Sequence, residues 1–172
     1  MRILKKVYPQ PKRTILVGHW GSEEQGLNGS SAFVADHPDI VKNIQAVFNQ
    51  DNGTGRVVNI NGAGFLQSYD YLSRWLNAVP DTIRRQIETS FPGQPARGGS
   101  DNASFVAAGV PAFNLSSLSW DYWNYTWHTN RDTYDKIVVA DLQNNANLVA
   151  MLAYLADKDP LVGKAQPTDS LT

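Results

Sequence analysis

The spacing of apolar and polar positions divides the chain into short strands separated by helices. "RTILVGHW", beginning at Arg13, is apolar at successive positions rather than alternate ones, which predicts a strand buried on both faces. Ahead of it, "ILKKVY" predicts the last turns of a helix, stopped by Pro9 and Pro11. Behind it, Ser22-x-x-Gln25 fits a capping box. The apolar positions Leu27, Ala32, Phe33 and Val34 follow, and His37-Pro38 ends that helix. "IQAVFNQ" from Ile44 predicts a second strand, "DNGTG" from Asp51 a turn, and "RVVNI" from Arg56 a third strand turning back on the second.

Helical spacing returns in "FLQSYDYLSRWLNAV", where Phe65, Leu66, Tyr69, Leu72, Trp75 and Leu76 share a face, and again in "DTIRRQIETS" after Pro80. "ASFVAAG" predicts a short helix closed by Gly109, "VPAFNL" a fourth strand, and "VADLQNNANLVAMLAYLAD" a long amphipathic helix. Strands alternating with helices imply an α/β domain of three α/β/α layers around a mainly parallel, mixed central sheet. The boundaries expected are one domain over residues 1–160 and a polar tail over 161–172. A chain that opens on the end of a helix, with its first strand already of central character, is expected to lack N-terminal strands: the domain reads as truncated.

Composition narrows the class. At 172 residues and 42% hydrophobic, the chain is long enough for one domain with a sizeable core. Fifteen basic against sixteen acidic residues, net charge -1, leave no basic footprint for a phosphate backbone, which excludes nucleic acid as an expected partner. No apolar run approaches the roughly 18 residues of a membrane span, and the first residues lack the apolar core of a signal peptide. With no cysteine, any metal is left to His, Asp and Glu.

Candidate chemistry gathers beyond the carboxyl ends of strands, where sites in open α/β sheets form. Glu23 and Glu24 follow "ILVGHW", and Asp51 follows "AVFNQ". Each has two readings. Acidic residues in a first helical turn interact favourably with the helix dipole and need no other role. Alternatively, neighbours pointing about 100° apart let one carboxylate bind a metal while the other faces its water. Asp-Asn-Gly is a common turn, yet Asp51 also stands at a strand end. His128 sits in the aromatic segment "SWDYWNYTWHTNRDTYDKI" as a structural residue or a ligand, and Trp123, Tyr125 and Trp127 could line a pocket for an apolar side chain.

Four motifs in order, "GSEEQGLNGS", "NQDNGTG", "GGSDNASFVAAGVPAF" and "WHTNRDTYDKI", resemble the zinc exopeptidases that include the Streptomyces and Vibrio aminopeptidases, aminopeptidase Y and carboxypeptidase Q. The resemblance runs from about Arg13 to Leu155. It implies a peptide substrate, removal of terminal residues with an aminopeptidase-like preference for apolar side chains, a dizinc cofactor, and a secreted or periplasmic location. It implies Glu23 as the general base, Glu24 and His128 as ligands of one zinc, and Asp51 as a ligand of the other. Ser100 and Asp101 match a family motif near the site, with Asn102 where histidine is common. Asp132 and Thr133 match the run after the histidine, in supporting roles.

The family places an H-x-D motif and a bridging aspartate upstream of the glutamate pair. The 22 residues ahead of Glu23 contain neither. One or no zinc is therefore expected in this chain alone. A second class stands beside the enzyme: a non-catalytic module that keeps the fold and self-associates through an exposed sheet edge. A serine hydrolase built on Ser100, Asp101 and His128 is disfavoured, because no G-x-S-x-G elbow occurs. His19 reads as a packed wall residue and His37 as a helix C-terminal residue.

Overall fold

The computed structural model describes residues 1–160, and the expected polar tail at 161–172 lies outside them. Helices α1 (Arg2–Val7), α2 (Asn28–Asp36) and α3 (Pro38–Val41) precede strands β1 (Val47–Asn49) and β2 (Val57–Asn61). Next come α4 (Ser68–Ala78), α5 (Asp81–Arg84), β3 (Glu88–Ser90), α6 (Asn102–Ala107), β4 (Ala112–Ser117) and α7 (Tyr122–Tyr125). A 3₁₀ turn (Tyr134–Lys136) leads into α8 (Val139–Lys158).

The strands lie in the order β1-β4-β2-β3. β1 runs parallel to β4 and β3 parallel to β2, while β2 and β4 are antiparallel, so the sheet is mixed. Alternation along β4 sends Phe113 and Leu115 to one face and Ala112 to the other. The first face packs on α4 and α8 through Leu72, Trp75, Leu76, Leu148 and Leu152, with Val57 and Ile60 of β2 between them. The second face packs on α6 through Phe105 and Val106, with Phe65 and Val110 closing its edge and Trp20, Phe33 and Val34 against it. Helices therefore cover both faces of the sheet, as the three-layer expectation required.

Asn145 of α8 ties the two halves of the first core. Its amide oxygen accepts from the Val57 N–H and its amide nitrogen donates to the Gly55 carbonyl, both at 2.8 Å, so these buried backbone groups at the start of β2 have partners. At Gly55 the chain passes so close to Leu118 that a Cβ would lie 2.0 Å from that residue's carbonyl oxygen, which only glycine permits.

Several expectations are corrected. Residues 14–20 are not a strand: they run as irregular chain that bonds to no ladder among the described residues, and Leu16 and Val17 are each 56% exposed. An apolar run becomes a strand only where a neighbouring backbone pairs with it. Ser22 does not cap α2. It lies at φ 55 and residues 23–27 form a turn, with Gly26 and Leu27 N–H donating to the Glu23 carbonyl, so the helix begins at Asn28. β2 does not pair with β1, because β4 is inserted between them. "DTIRRQIETS" is helical for one turn only and ends as β3, whose ladder to β2 overrides local spacing. In α4 the buried aromatics are Tyr71 and Trp75, while Tyr69 and, ahead of the helix, Leu66, both expected on the buried face, are 57% and 52% exposed. His19 is exposed rather than packed, whereas His37 caps α2 and packs on Phe33 at 4.9 Å.

Candidate functional site

Glu23 and Glu24 sit in the turn ahead of α2, positioned by backbone rather than by helix. Ser22 and Leu27, which bracket that turn, both adopt positive φ, and Gly29 N–H closes it onto the Gly21 carbonyl. Positive φ at non-glycine residues is strain that surrounding contacts must hold, and it concentrates at sites. At Gly29 a Cβ would meet the Gly21 oxygen at 2.6 Å, so the turn also depends on a residue without a side chain.

His128 comes to this turn from 104 residues away. Its Nε2 lies 2.9 Å from Glu24 Oε1, with both side chains about half exposed to solvent. The imidazole is presented by an aromatic stair: Tyr122 packs on Trp123 and Trp123 on Trp127, each at 5.3 Å, and Trp127 stacks on the ring of His128 at 4.0 Å. His128 itself has φ 55. The Trp120 indole N–H donates to Asp141 of α8 at 2.9 Å, anchoring the loop to the core layer.

Charge is crowded around Glu23. Burial raises its pKa above the ordinary glutamate value, and the negative charges of Asp51, Glu24 and Asp101 raise it further, with His128 opposing. A raised pKa makes a carboxylate a stronger base than an ordinary glutamate. Tyr122 belongs to the same field. Burial raises its pKa first, followed by the charge and hydrogen bond of Asp132 and the charges of Asp51 and Glu24. Its ring also supports the Asp51 turn, for a Cβ at Gly53 would come within 3.2 Å of it. Reading the sequence did not single out Tyr122; its only mark there was membership of the aromatic run.

The remaining candidates divide. Ser100 is buried and accepts from the Asn49 amide at 2.8 Å, which ties the loop before α6 to the end of β1. Asp101 is buried, and its Oδ1 has no hydrogen-bond partner. Asp132 meets the Tyr122 hydroxyl at a long 3.4 Å, and Thr133 donates to Asp135 and to the Arg131 carbonyl, away from the glutamates. Trp123, Tyr125 and Trp127 are exposed on the loop surface. None of the three lines the polar cavity of about 360 Å³ that opens beside Ser100.

Zinc, which the sequence resemblance implies, fits this donor set in part. Ligand distances near 2.0–2.1 Å place the donors of a tetrahedral zinc about 3.3 Å apart, close to the Glu24–His128 spacing. The unpartnered Asp101 oxygen and the carboxylates around Glu23 are surroundings that favour a cation. Among the described residues, however, no group of three or more His, Cys, Asp or Glu side chains converges to hold a metal ion. Asp51 is near enough to act on Glu23 through its charge, yet it does not join Glu24 and His128 as a third donor.

Similarity to known proteins sets the class: this α/β domain is related to peptidases. The chain belongs to peptidase family M28, whose sequence model matches residues 1–153. It is 30% identical to a glutamate carboxypeptidase 2 homolog of Caenorhabditis briggsae over 154 residues, covering 78% of this chain and 19% of that protein. It is 23% identical to carboxypeptidase Q of Mus musculus over 166 residues, covering 96% of this chain and 34% of that protein. The crystal structure of a peptidase M28 precursor from Shewanella amazonensis SB2B superposes with a TM-score of 0.76 at 26% identity, over 90% of this chain and 34% of that one. The chain thus spans about a fifth to a third of the length of these relatives.

Proposed function

We propose that the chain carries part of the catalytic site of a zinc-dependent, secreted or periplasmic exopeptidase that removes residues from a peptide terminus, with aminopeptidase-like action. The observation that carries this reading is the contact of Glu24 with His128 at 2.9 Å, beside a Glu23 held toward its protonated form. Glu24 and His128 would hold the ion, with Asp51 reserved for a second one. A bound zinc lowers the pKa of its water toward neutrality. With zinc bound, Glu23 would be the carboxylate that accepts a proton from the attacking water and passes it to the leaving amine. Trp127 fixes the plane of the His128 ring, and the strained Ser22 and Leu27 fix the two glutamates.

Zinc titration of the 172-residue chain by calorimetry, beside hydrolysis of an aminoacyl anilide, tests these roles. His128→Ala should abolish zinc binding, whereas Glu23→Ala should retain the zinc and lose hydrolysis. Equal zinc affinity in all three proteins would reject the assignment.

A second reading, self-association of a non-catalytic module, is favoured by one feature: Leu16 and Val17 are exposed on a segment that pairs with no strand among the described residues. Light scattering should then show dimers that Leu16→Lys dissolves; a monomer at millimolar concentration removes this reading.

A further inference from the structure

Asparagine followed by glycine occurs three times in the chain, at Asn28-Gly29, Asn52-Gly53 and Asn61-Gly62. Such a pair carries a reaction of its own. The glycine nitrogen can attack the asparagine Cγ, and glycine, with no Cβ, neither blocks that approach nor restricts the backbone rotation it requires. In a folded chain the outcome turns on whether the glycine N–H is already committed and whether the backbone around it can rotate.

Two of the pairs are locked. Asn28 is the first residue of α2, and the Gly29 N–H donates to the Gly21 carbonyl at 3.0 Å. Asn61 is the last residue of β2, in register with Ser90 of β3 and Asn114 of β4. The Gly62 N–H donates to the Ser90 carbonyl at 2.9 Å, and Asn61 Oδ1 accepts from the Ala63 N–H at 2.7 Å. Either glycine nitrogen is freed only by local unfolding, which costs its hydrogen bond and the helical turn or ladder around it.

Asn52-Gly53 differs in each respect. It lies between β1 and β2, in no helix or strand. Among the described residues the Gly53 N–H donates to no acceptor and the Asn52 amide has no hydrogen-bond partner. Asn52 is half-buried on the wall of the open cavity of about 360 Å³, so water reaches its side chain. The turn is held on either side of the pair rather than at it. The Gln50 amide donates to the Ser117 hydroxyl at 3.2 Å, and the Thr54 hydroxyl donates to the Lys136 carbonyl at 2.8 Å.

We propose that Asn52 is a self-modification site, the one Asn-Gly pair whose amide becomes a carboxylate while the chain stays folded. The Gly53 nitrogen loses its proton and bonds to Asn52 Cγ, the Cγ–Nδ2 bond breaks, and ammonia leaves. Water then opens the cyclic imide at either carbonyl, leaving an aspartyl or an isoaspartyl linkage at position 52. Both products place a new negative charge one residue from Asp51, whose own charge already acts on Glu23. The isoaspartyl form also adds a methylene to the backbone of the turn that the Tyr122 ring covers. The change needs water alone, and it does not depend on the peptidase reading.

The test is peptide mapping of the 172-residue chain after incubation at mildly alkaline pH, folded and in concentrated urea. Trypsin cleavage at Arg13, Lys42, Arg56 and Arg74 puts the three pairs on separate peptides, and mass spectrometry reads the amide-to-acid gain in each. In urea the three should convert at like rates. In the folded chain Asn52 should keep most of its urea rate, while Asn28 and Asn61 fall at least about tenfold behind it. Asn52→Gln, in a turn outside every element, should remove the fast release of ammonia and leave the other two peptides as they were. Conversion of Asn28 or Asn61 as fast as Asn52 in the folded chain, a folded-state rate at Asn52 as low as theirs, the same ranking in urea, or fast ammonia release that survives Asn52→Gln would each overturn the proposal.

Discussion

Replacing Asp157 with alanine should detach the segment that leads into the glutamate pair. Asp157, in the last turn of α8, is only 3% exposed. Its carboxylate accepts from the Tyr8 hydroxyl at 2.7 Å, the Lys12 N–H at 2.8 Å and the Arg13 N–H at 2.7 Å, while its carbonyl accepts from the Arg13 guanidinium. A hydrogen bond to a charged group contributes about 1.5–3 kcal/mol, so three independent ones would sum to about 4.5–9 kcal/mol. The three share one acceptor group and are partly open to water once it is gone, which reduces the expected loss to about 2–4 kcal/mol. For a chain of this size that is a fall in Tm of roughly 5–15 °C. The pH arm has a definite sign. Burial acts to raise the Asp157 pKa, but the hydrogen bonds from Tyr8, Lys12 and Arg13 outweigh it and the net shift is downward. A carboxylate with a depressed folded pKa stabilises above its unfolded pKa, and that stability is lost as pH falls through the folded value. Wild type and Asp157→Ala should therefore differ most in Tm at pH 6–7 and converge below the ordinary aspartate range. Circular dichroism melting gives Tm, and trypsin cleavage at Lys12 and Arg13 reports the detached segment. A Tm within about 1 °C of wild type at pH 7, with cleavage unchanged, would refute the reasoning.

Glu23→Gln should stabilise the metal-free chain at neutral pH. The raised pKa of Glu23 means that its ionisation in the fold is unfavourable, so wild type loses stability as pH rises through that pKa and the variant does not. The two should melt together near pH 4 and separate by pH 7, with the variant higher; the opposite order would show that the glutamate is stabilised as an anion. Asn145→Ala should cost about 2–4 kcal/mol, because it strips partners from the Val57 N–H and the Gly55 carbonyl in a residue only 2% exposed. Urea unfolding measures this, and a loss below about 1 kcal/mol would show that water replaces the amide.

How much was readable in the sequence depended on whether an element is decided locally. The long periodic run of α8, the Gly109-closed α6 and the apolar β4 need only their own residues to be recognised. Residues 14–20 carry the same apolar signal as a buried strand, but pairing is a property of two chains of backbone, and none lies beside them among the described residues. The expected β1–β2 hairpin failed for the same reason, since β4, over fifty residues later in the chain, takes the place between them. Around the site, acid residues at strand ends were visible, while the meeting of Glu24 with His128 came from the resemblance and not from spacing. The asparagines of β2 and β4 were in plain view yet unread. Alternating polar residues ordinarily mark the solvent face of a strand, and only the order of the strands shows that Asn59, Asn61, Asn114 and Ser116 come together, half-buried, along one open cavity.

Two deficits lie at one place in the fold. Leu16 and Val17 are apolar, exposed and without a ladder among the described residues, and a few residues further on Glu24 and His128 make only half of a tetrahedral donor set, with the Asp101 Oδ1 also lacking a hydrogen-bond partner. A strand paired along residues 14–17 would end next to Gly21–Glu24, so backbone that satisfies the first deficit also brings its following residues within reach of the second. This coupling separates the two readings of the chain. If the exposed run is the rim of a catalytic centre, hydrogen exchange at Leu16 and Val17 should slow as zinc is added. If it is a surface for self-association, their protection should follow protein concentration and be indifferent to zinc.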